Sequence, residues 1–285
     1  MSTIKLAIQK SGRLNEDSLS LLQSCGITIK NGNDQLKTKA TNFPIELFYL
    51  RNSDIPKYLE GGIVDLAIIG ENTLLEKQKQ HKQILKLGFS KCNVSLAIPK
   101  SELYTGLSYF TNKKIATSYP YTLQSFLEEH NIDAEIHLIT GSVEIAPSIG
   151  LADAVCDIVS SGSTLFKNGL KEVEQVLSSE ACLAATMELS LEKQAILDQL
   201  VFRMNAVLRA KTSKYILMNV PNENISQVSS ILPVLKSATV LPLSIPGWSS
   251  LHSVIEENKF WQVIDQLKKA GAEDILIVPI EKMVL

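Results

Sequence analysis

Apolar residues recur along this chain as short continuous runs separated by helical stripes, and the alternation starts near the amino terminus. Ile4–Ile8 reads as a buried strand, and the next segment carries Leu14, Leu21 and Leu22 on one helical face before Gly26 ends it. Further strands are expected at Ile45–Leu50, Val64–Ile69, Ile84–Leu87, Val94–Ile98, Ile115–Ser118, Glu135–Ile139, Ala154–Val159 and Cys182–Ala185, with short helices between most of them. Such alternation predicts α/β architecture, here as two parallel-sheet lobes. Leu191–Ala210 predicts one long helix. Beyond it the order is strand Lys214–Val220, helix Asn224–Lys236, strands Thr239–Ile245 and Ser250–Glu256, helix Asn258–Ala270 and strand Asp274–Ile280. That is the βαββαβ order of the ferredoxin-like split motif, so a separate C-terminal domain is expected. The basic stretch Lys77–Lys86 reads as solvated surface.

Composition narrows the function classes. A chain of 285 residues is long enough for two or three domains, each with its own core. With 45% hydrophobic residues, 20% charged residues and a net charge of −2, it lacks the bulk basicity of a nucleic-acid binder. Any anionic ligand must therefore meet locally concentrated cations. Cys25, Cys92, Cys156 and Cys182 show no CxxC spacing and read as reduced thiols. Met1–Lys10 has too short an apolar core for a signal peptide and no run reaches the length of a membrane span, so a cytoplasmic protein without a membrane partner is expected. Two α/β lobes around a cleft also describe non-catalytic solute receptors and ligand-sensing regulators. The lack of an export signal or a helix-turn-helix segment argues against both.

The candidate chemistry lies in the loops. Asp157-Ile-Val-Ser160-Ser161-Gly162-Ser163-Thr164 joins an apolar strand to a helix that starts at Leu165-Phe166. Small residues admit an anion to backbone amides, Gly162 permits a positive φ, hydroxyls donate, and a helix N-terminus adds unpaired amides, so the run reads as a phosphate loop with Asp157 beside it for sugar hydroxyls. The same run also reads as an ordinary serine-capped turn. Three other loops should leave the carboxyl ends of strands, where open α/β sheets bind ligands: Gln9–Arg13, Arg51–Asp54 and Gly70–Asn72. Lys10, Arg13 and Arg51 are convergent cations there, and Gly12 allows close backbone approach. Asp54 reads equally as a helix N-cap ahead of Ile55-Pro56.

These motifs, with Val64-Asp65-Leu-Ala-Ile-Ile-Gly70-Glu71-Asn72, Ala116–Pro120, Gly141–Glu174 and the ending Pro279–Met283, give the whole chain a resemblance to the ATP phosphoribosyltransferase family, long form. The resemblance implies a two-lobed part like type II periplasmic binding proteins plus an ACT-like domain: lobe I at 1–92 and 184–212, lobe II at 93–183 and a regulatory domain at 213–285. It implies transfer of a 5-phosphoribosyl group from phosphoribosyl pyrophosphate to N1 of ATP with release of pyrophosphate, assisted by Mg2+ carried on the pyrophosphate. Displacement at a sugar carbon needs positioning and charge stabilisation above all, so the lack of a nucleophilic triad is no objection. By resemblance Asp157 and Glu144 hold the ribose and Ser160, Ser161, Gly162, Ser163 and Thr164 the 5-phosphate. Lys10, Gly12, Arg13, Arg51, Glu71 and Tyr119 face ATP or pyrophosphate, with Arg13, Arg51 and Asp157 closest to the chemistry. Asp65 and Asp153 match family motifs but read as braces and stay outside the site. His81, His130 and His137 read as surface residues. His252 lies on a C-terminal strand of the domain that, in this family, binds histidine as inhibitor, and a homo-oligomer exchanging between dimer and hexamer is implied. Leu243–Ser249 departs from the family pattern.

Overall fold

A run flanked by polar turn residues forms the first strand, β1 (Ile4–Gln9), and α1 (Arg13–Ser24) follows, burying Ser18, Leu21 and Leu22. The computed structural model describes residues 2–30, 36–78, 80–159, 163–232 and 238–284, with Ser163 and Thr164 described in backbone only. β2 (Lys37–Lys39), β3 (Ile45–Leu50), α2 (Ile55–Glu60), β4 (Leu66–Gly70), α3 (Glu71–Lys77) and β5 (Lys82–Lys86) complete a first pass. The chain then crosses into β6 (Cys92–Pro99), β7 (Lys114–Thr117), α4 (Pro120–Glu129), β8 (Glu135–Leu138), β9 (Ala154–Val159), α5 (Ser163–Lys167) and β10 (Leu170–Ser179), and returns through β11 (Ala181–Ala185). After α6 (Leu191–Lys211) come β12 (Ser213–Pro221), α7 (Ile225–Ile231), β13 (Thr239–Pro242), β14 (Trp248–Glu256), α8 (Glu257–Lys269) and β15 (Glu273–Pro279).

The first sheet has the order β2-β3-β1-β4-β11-β5 and the second β10-β6-β9-β7-β8. Counted within each lobe, both run second, first, third, incoming strand, fourth, with β2 added at one edge. The first three strands of each lobe are parallel, and the incoming strand is antiparallel to its neighbours. This is a doubly wound arrangement whose loops gather at the carboxyl ends of the parallel strands. β4 is apolar without alternation because both of its faces are covered: Ala67 and Ile69 pack with Ile55, Leu59 and Leu74 of the neighbouring helices. In the second lobe Leu96, Cys156 and Ile115 pack under Leu123 of α4, while Ala97, Val155 and Val159 pack under Val143 and Leu165.

The chain divides into two compact units, one running up to Gln23 and over Ile27–Leu197, the other formed by Ser24–Gly26 and Asp198 onward. In the second, an antiparallel sheet of order β13-β14-β12-β15 buries Ile216, Met218, Val220, Leu251 and Ile255 with Val228 of α7 and Phe260 and Leu267 of α8. Strand order and βαββαβ connectivity match the ferredoxin-like expectation.

Several boundaries differ from the sequence expectation. The helix expected to reach Lys236 stops at Ile231, because Leu232 is extended (ψ 120°), as the residue before a proline prefers. Ala181–Leu183, expected with the second lobe, stand in β11 of the first sheet. β10 was not expected, because two bulges break its alternation. β5 starts at Lys82 and ends at Lys86 where Ile84–Leu87 was expected; its Lys82, Gln83 and Lys86 are exposed, as expected of this stretch, and Gln83 and Lys86 also reach a buried carboxylate.

Candidate active site

The stretches that the sequence singles out follow the carboxyl ends of parallel strands: Gln9–Arg13 at β1, Arg51–Asp54 after β3, Gly70–Asn72 at the passage from β4 into α3, Tyr119 after β7, Glu144 after β8, and the run from Asp157 at the end of β9. Lys10 N donates to Leu50 O at 2.8 Å, which sets the first two loops side by side. Gly12 turns the chain at φ +86°, where a side chain would be strained, and Asn15 Nδ2 braces the turn by donating to Gln9 O at 2.6 Å. Lys10 and Arg51 are exposed, and the Arg13 side chain is 76% exposed with only a 3.9 Å contact to Asp17. So loose a surface pair contributes little, and the guanidinium stays available to an anion. Asp54 occupies the N-cap position of α2 but makes no side-chain cap bond.

Glu71 is largely buried, and β5 holds its carboxylate. Gln83 Nε2 donates to its Oε1 at 2.6 Å, and Lys86 Nζ lies 3.1 Å from Oε1 and 3.9 Å from Glu180. The hydrogen bond and charge of Glu71 push the Lys86 pKa up, so this ammonium stays protonated. Asn72 N donates to Ser179 Oγ (3.0 Å), which donates to Asn72 Oδ1 (2.9 Å), and Asn72 Nδ2 donates across the lobes to Tyr119 OH (3.3 Å). The Asn72 side chain fills the space above Gly70 where a Cβ would stand.

In the second lobe, burial pushes the Tyr119 hydroxyl pKa up, and the charge of Asp157 adds to it. The Asp157 carboxyl is also raised, by burial first and by the charge of Glu144, against a lowering hydrogen bond from Ile158 N at 2.8 Å. Asp157 thus interacts with Tyr119 on one side and with Glu144 on the other. Ser160, Ser161 and Gly162 lie outside the described residues. α5 starts at Ser163, ahead of the expected Leu165, and is only five residues long. Beside the strand that leads to this segment opens a cavity of about 440 Å³ lined by Glu71, Lys86, Lys91, Asn93, Val159 and Ser179. Lys86, Lys91 and Ser179 were not expected at the site. A lysine ending an apolar strand gives no periodic signal, and only the two strand crossings bring these residues together.

Burial pushes the Cys25 and Cys182 thiols up to about 11 and about 12, and Cys156 further, so none of the three is a thiolate nucleophile. Among the described residues no three His, Cys, Asp or Glu side chains converge on a metal position, and no helix is long and apolar enough to cross a membrane. In the C-terminal sheet His252 bonds Tyr215 OH through Nδ1 and Ser250 Oγ through Nε2, both at 2.9 Å, on the sheet face that also carries exposed Leu276 and Val278.

Fold and site define a class: a two-lobed ligand-binding α/β protein with cations at the cleft edges and a small α+β domain appended. Comparison with known proteins makes this specific. The family model for ATP phosphoribosyltransferase matches residues 51–206, and that for the HisG C-terminal domain matches 210–282. The chain is 55% identical to the ATP phosphoribosyltransferase of Cytophaga hutchinsonii over 285 residues, all of both chains, and 51% identical to that of Phocaeicola vulgatus over 282 residues, 99% of this chain and 100% of the relative. The ATP phosphoribosyl transferase (HisG:HisZ) complex from Thermotoga maritima superposes with TM-score 0.63 at 27% identity, covering 74% of this chain and 100% of that one. A substrate-binding protein of an amino acid ABC transporter superposes at TM-score 0.50 and 10% identity over 74% of this chain and 95% of that one, which concerns the fold alone. The chain belongs to the ATP phosphoribosyltransferase family, in the long form that carries the C-terminal domain. Its reaction is the first step of histidine biosynthesis, the transfer of a 5-phosphoribosyl group from phosphoribosyl pyrophosphate to N1 of ATP, and feedback inhibition is typical of the family.

Proposed function

We propose a division of labour for this reaction in which the second lobe holds the sugar and the first lobe presents the nucleotide. Asp157 and Glu144 take the ribose hydroxyls, and Ser160–Thr164 take the 5-phosphate. Lys10, Gly12, Arg13 and Arg51 bind the phosphates of ATP, and Tyr119 borders the adenine. Glu71 acts at one remove, holding Lys86 toward the cavity where Lys86 and Lys91 receive pyrophosphate. In the displacement the N1 lone pair bonds to the ribose C1, the C1–O bond breaks, and its electron pair leaves on pyrophosphate. Positive charge grows at the sugar, beside Asp157 and Glu144, and negative charge on the leaving group, beside the lysines. Magnesium, when bound, neutralises pyrophosphate oxygens. The neighbouring Asp157 and Glu144 carboxylates fit an ion that keeps mostly phosphate and water oxygens.

The observation that carries this reading is the cavity between Glu71, at the end of β4, and Val159, at the end of β9, with cations on its wall. Replacing Asp157 with Asn and Gly162 with Val tests it by calorimetric titration of phosphoribosyl pyrophosphate, kept separate from turnover. The expected result is weakened binding in both variants. Unchanged affinity in both overturns the sugar-phosphate assignment.

For the C-terminal domain we extend the proposal to free histidine as inhibitor, bound near His252 on the sheet face, and to a homo-oligomer in solution that moves between dimer and hexamer. Differential affinity for two arrangements would supply the inhibition. A cytoplasmic location is part of the same reading, and the free thiols Cys25, Cys92, Cys156 and Cys182 support a reducing compartment.

A further inference from the structure

The N-terminus of α4 has no cap of its own. Tyr119 stands at its N-cap position without a side-chain cap bond, and Pro120, next in line, has no N–H to donate. The first free amides are therefore those of Tyr121 and Thr122. Both are satisfied from the other lobe: Tyr121 N donates to Glu76 Oε1 at 3.1 Å, Thr122 N to Glu76 Oε2 at 2.9 Å, and Thr122 Oγ1 to the same oxygen at 2.9 Å. A carboxylate at a helix N-terminus is also favoured by the helix dipole.

Glu76 lies four residues after Asn72, which puts both side chains on one face of α3. That face meets the segment Tyr119–Thr122 at two points, the Asn72 bond to Tyr119 OH and the three Glu76 bonds. Ser179, where the chain is about to return to the first sheet, holds Asn72 in place. Any opening of the lobes that separates α3 from α4 must strip two amides and a hydroxyl of their acceptor.

We propose that Glu76 is a positioning residue for the transfer reaction: by capping α4 across the lobes, it fixes Tyr119 and, through it, the alignment of the second lobe's ribose site with the first lobe's nucleotide loops. This rests on the reading above that Tyr119 borders the adenine. Glu76 itself touches neither substrate.

The test uses the full-length chain with Glu76→Gln, Thr122→Val and Tyr119→Ala. The Gln amide keeps one acceptor and turns a donor toward an N–H, while Thr122→Val removes the hydroxyl bond alone. In Glu76→Gln, kcat/KM for ATP is expected to fall roughly tenfold to a hundredfold, the range for losing charge-assisted hydrogen bonds, and Thr122→Val to cost a few-fold. Binding of phosphoribosyl pyrophosphate stays within about twofold, as expected if its own contacts are untouched. Amide hydrogen exchange supplies a second readout: Tyr121 and Thr122 lose protection in Glu76→Gln while Leu123–Glu129 keep theirs. Wild-type kinetics in Glu76→Gln, or a fall shared equally by both substrates together with lost protection throughout α4, overturns the proposal. If Tyr119→Ala keeps a wild-type KM for ATP, the adenine assignment fails. If Tyr119→Ala is impaired and Glu76→Gln is not, the clamp alone fails.

Discussion

Replacing Asp65 with Ala should cost the first lobe far more stability than the corresponding change costs the second, although both lobes use the same device. Asp65 precedes β4; its N donates to Lys5 O at 2.9 Å and its Oδ2 accepts from Lys5 N at 2.8 Å, clamping the start of β1. Asp153 precedes β9 and does the same for Lys114 at the start of β7, with bonds of 2.8 and 2.9 Å. The two differ in their ion pairs. Asp65 holds Lys193 Nζ at 2.7 Å with side-chain exposures of 7% and 28%, whereas Asp153 meets Lys113 at 3.7 Å with exposures of 43% and 37%. Breaking a buried pair costs about 3–5 kcal/mol, and the partial exposure of Lys193, which lets its head swing to water, brings the expectation for Asp65→Ala to about 3 kcal/mol with the lost Lys5 bond included. For Asp153→Ala an exposed pair and one backbone bond leave about 1 kcal/mol. The difference of about 2 kcal/mol corresponds to roughly 4–8 °C in melting midpoint for a unit of this size. Because a two-unit chain need not unfold in one step, hydrogen exchange at the β1 and β7 amides is the better assay, read lobe by lobe. Equal losses in the two variants, or less than about 1 kcal/mol for Asp65→Ala, refute the argument.

Three further outcomes are expected. The raised Asp157 pKa means that on acidification its carboxylate is lost at a higher pH than in a free aspartate, so activity falls as pH drops through that raised value; Glu144→Gln removes a raising charge and should shift the acid limb of the pH profile for kcat/KM to lower pH. Lys91→Ala should weaken product inhibition by pyrophosphate roughly fivefold to tenfold, measured as the inhibition constant at fixed Mg2+, with the KM for ATP little changed. His252→Ala should weaken histidine inhibition while uninhibited turnover stays at the wild-type level, checked by inhibitor titration and by sedimentation with and without histidine.

The sequence carried the strands wherever burial was one-sided or complete, and lost them where it was neither. β4 reads as a strand because Leu66–Ile69 is apolar throughout, and β12 because Ile216, Met218 and Val220 alternate with more exposed neighbours. β10 escapes because the bulges at Glu172/Glu174 and Gln175/Leu177 shift which residues face the core. β2 is a three-residue edge strand with no buried residue to mark it. For the site the loops were legible as loops, since each ends an apolar run with polar residues and often glycine. Their convergence was not, because register and crossing points are long-range facts. Hence the exposure of Lys86 and Gln83 could be read from the sequence, but their hydrogen bond and ion pair with Glu71 could not.

β4 separates stability from function along its own length, and its two ends should respond oppositely to substitution. Asp65, just before it, braces the edge away from the cleft, so Asp65→Ala should lower stability and leave kcat unchanged at temperatures well below melting. Gly70, at its other end and roughly 15 Å away for a strand of this length, has an ordinary negative φ of −70°, so alanine fits its backbone without strain. A Cβ there collides with the Asn72 side chain instead. Moving that amide breaks its bonds with Ser179 and Tyr119, the contacts that join the strand crossing to the second lobe. Gly70→Ala should therefore cost roughly tenfold or more in kcat/KM for ATP, the price of one or two misplaced polar contacts, with only about 1 kcal/mol of stability. A Gly70→Ala enzyme with normal kinetics, in which Asn72 has simply rotated aside, would show that the Asn72–Tyr119 contact plays no part in aligning the two lobes.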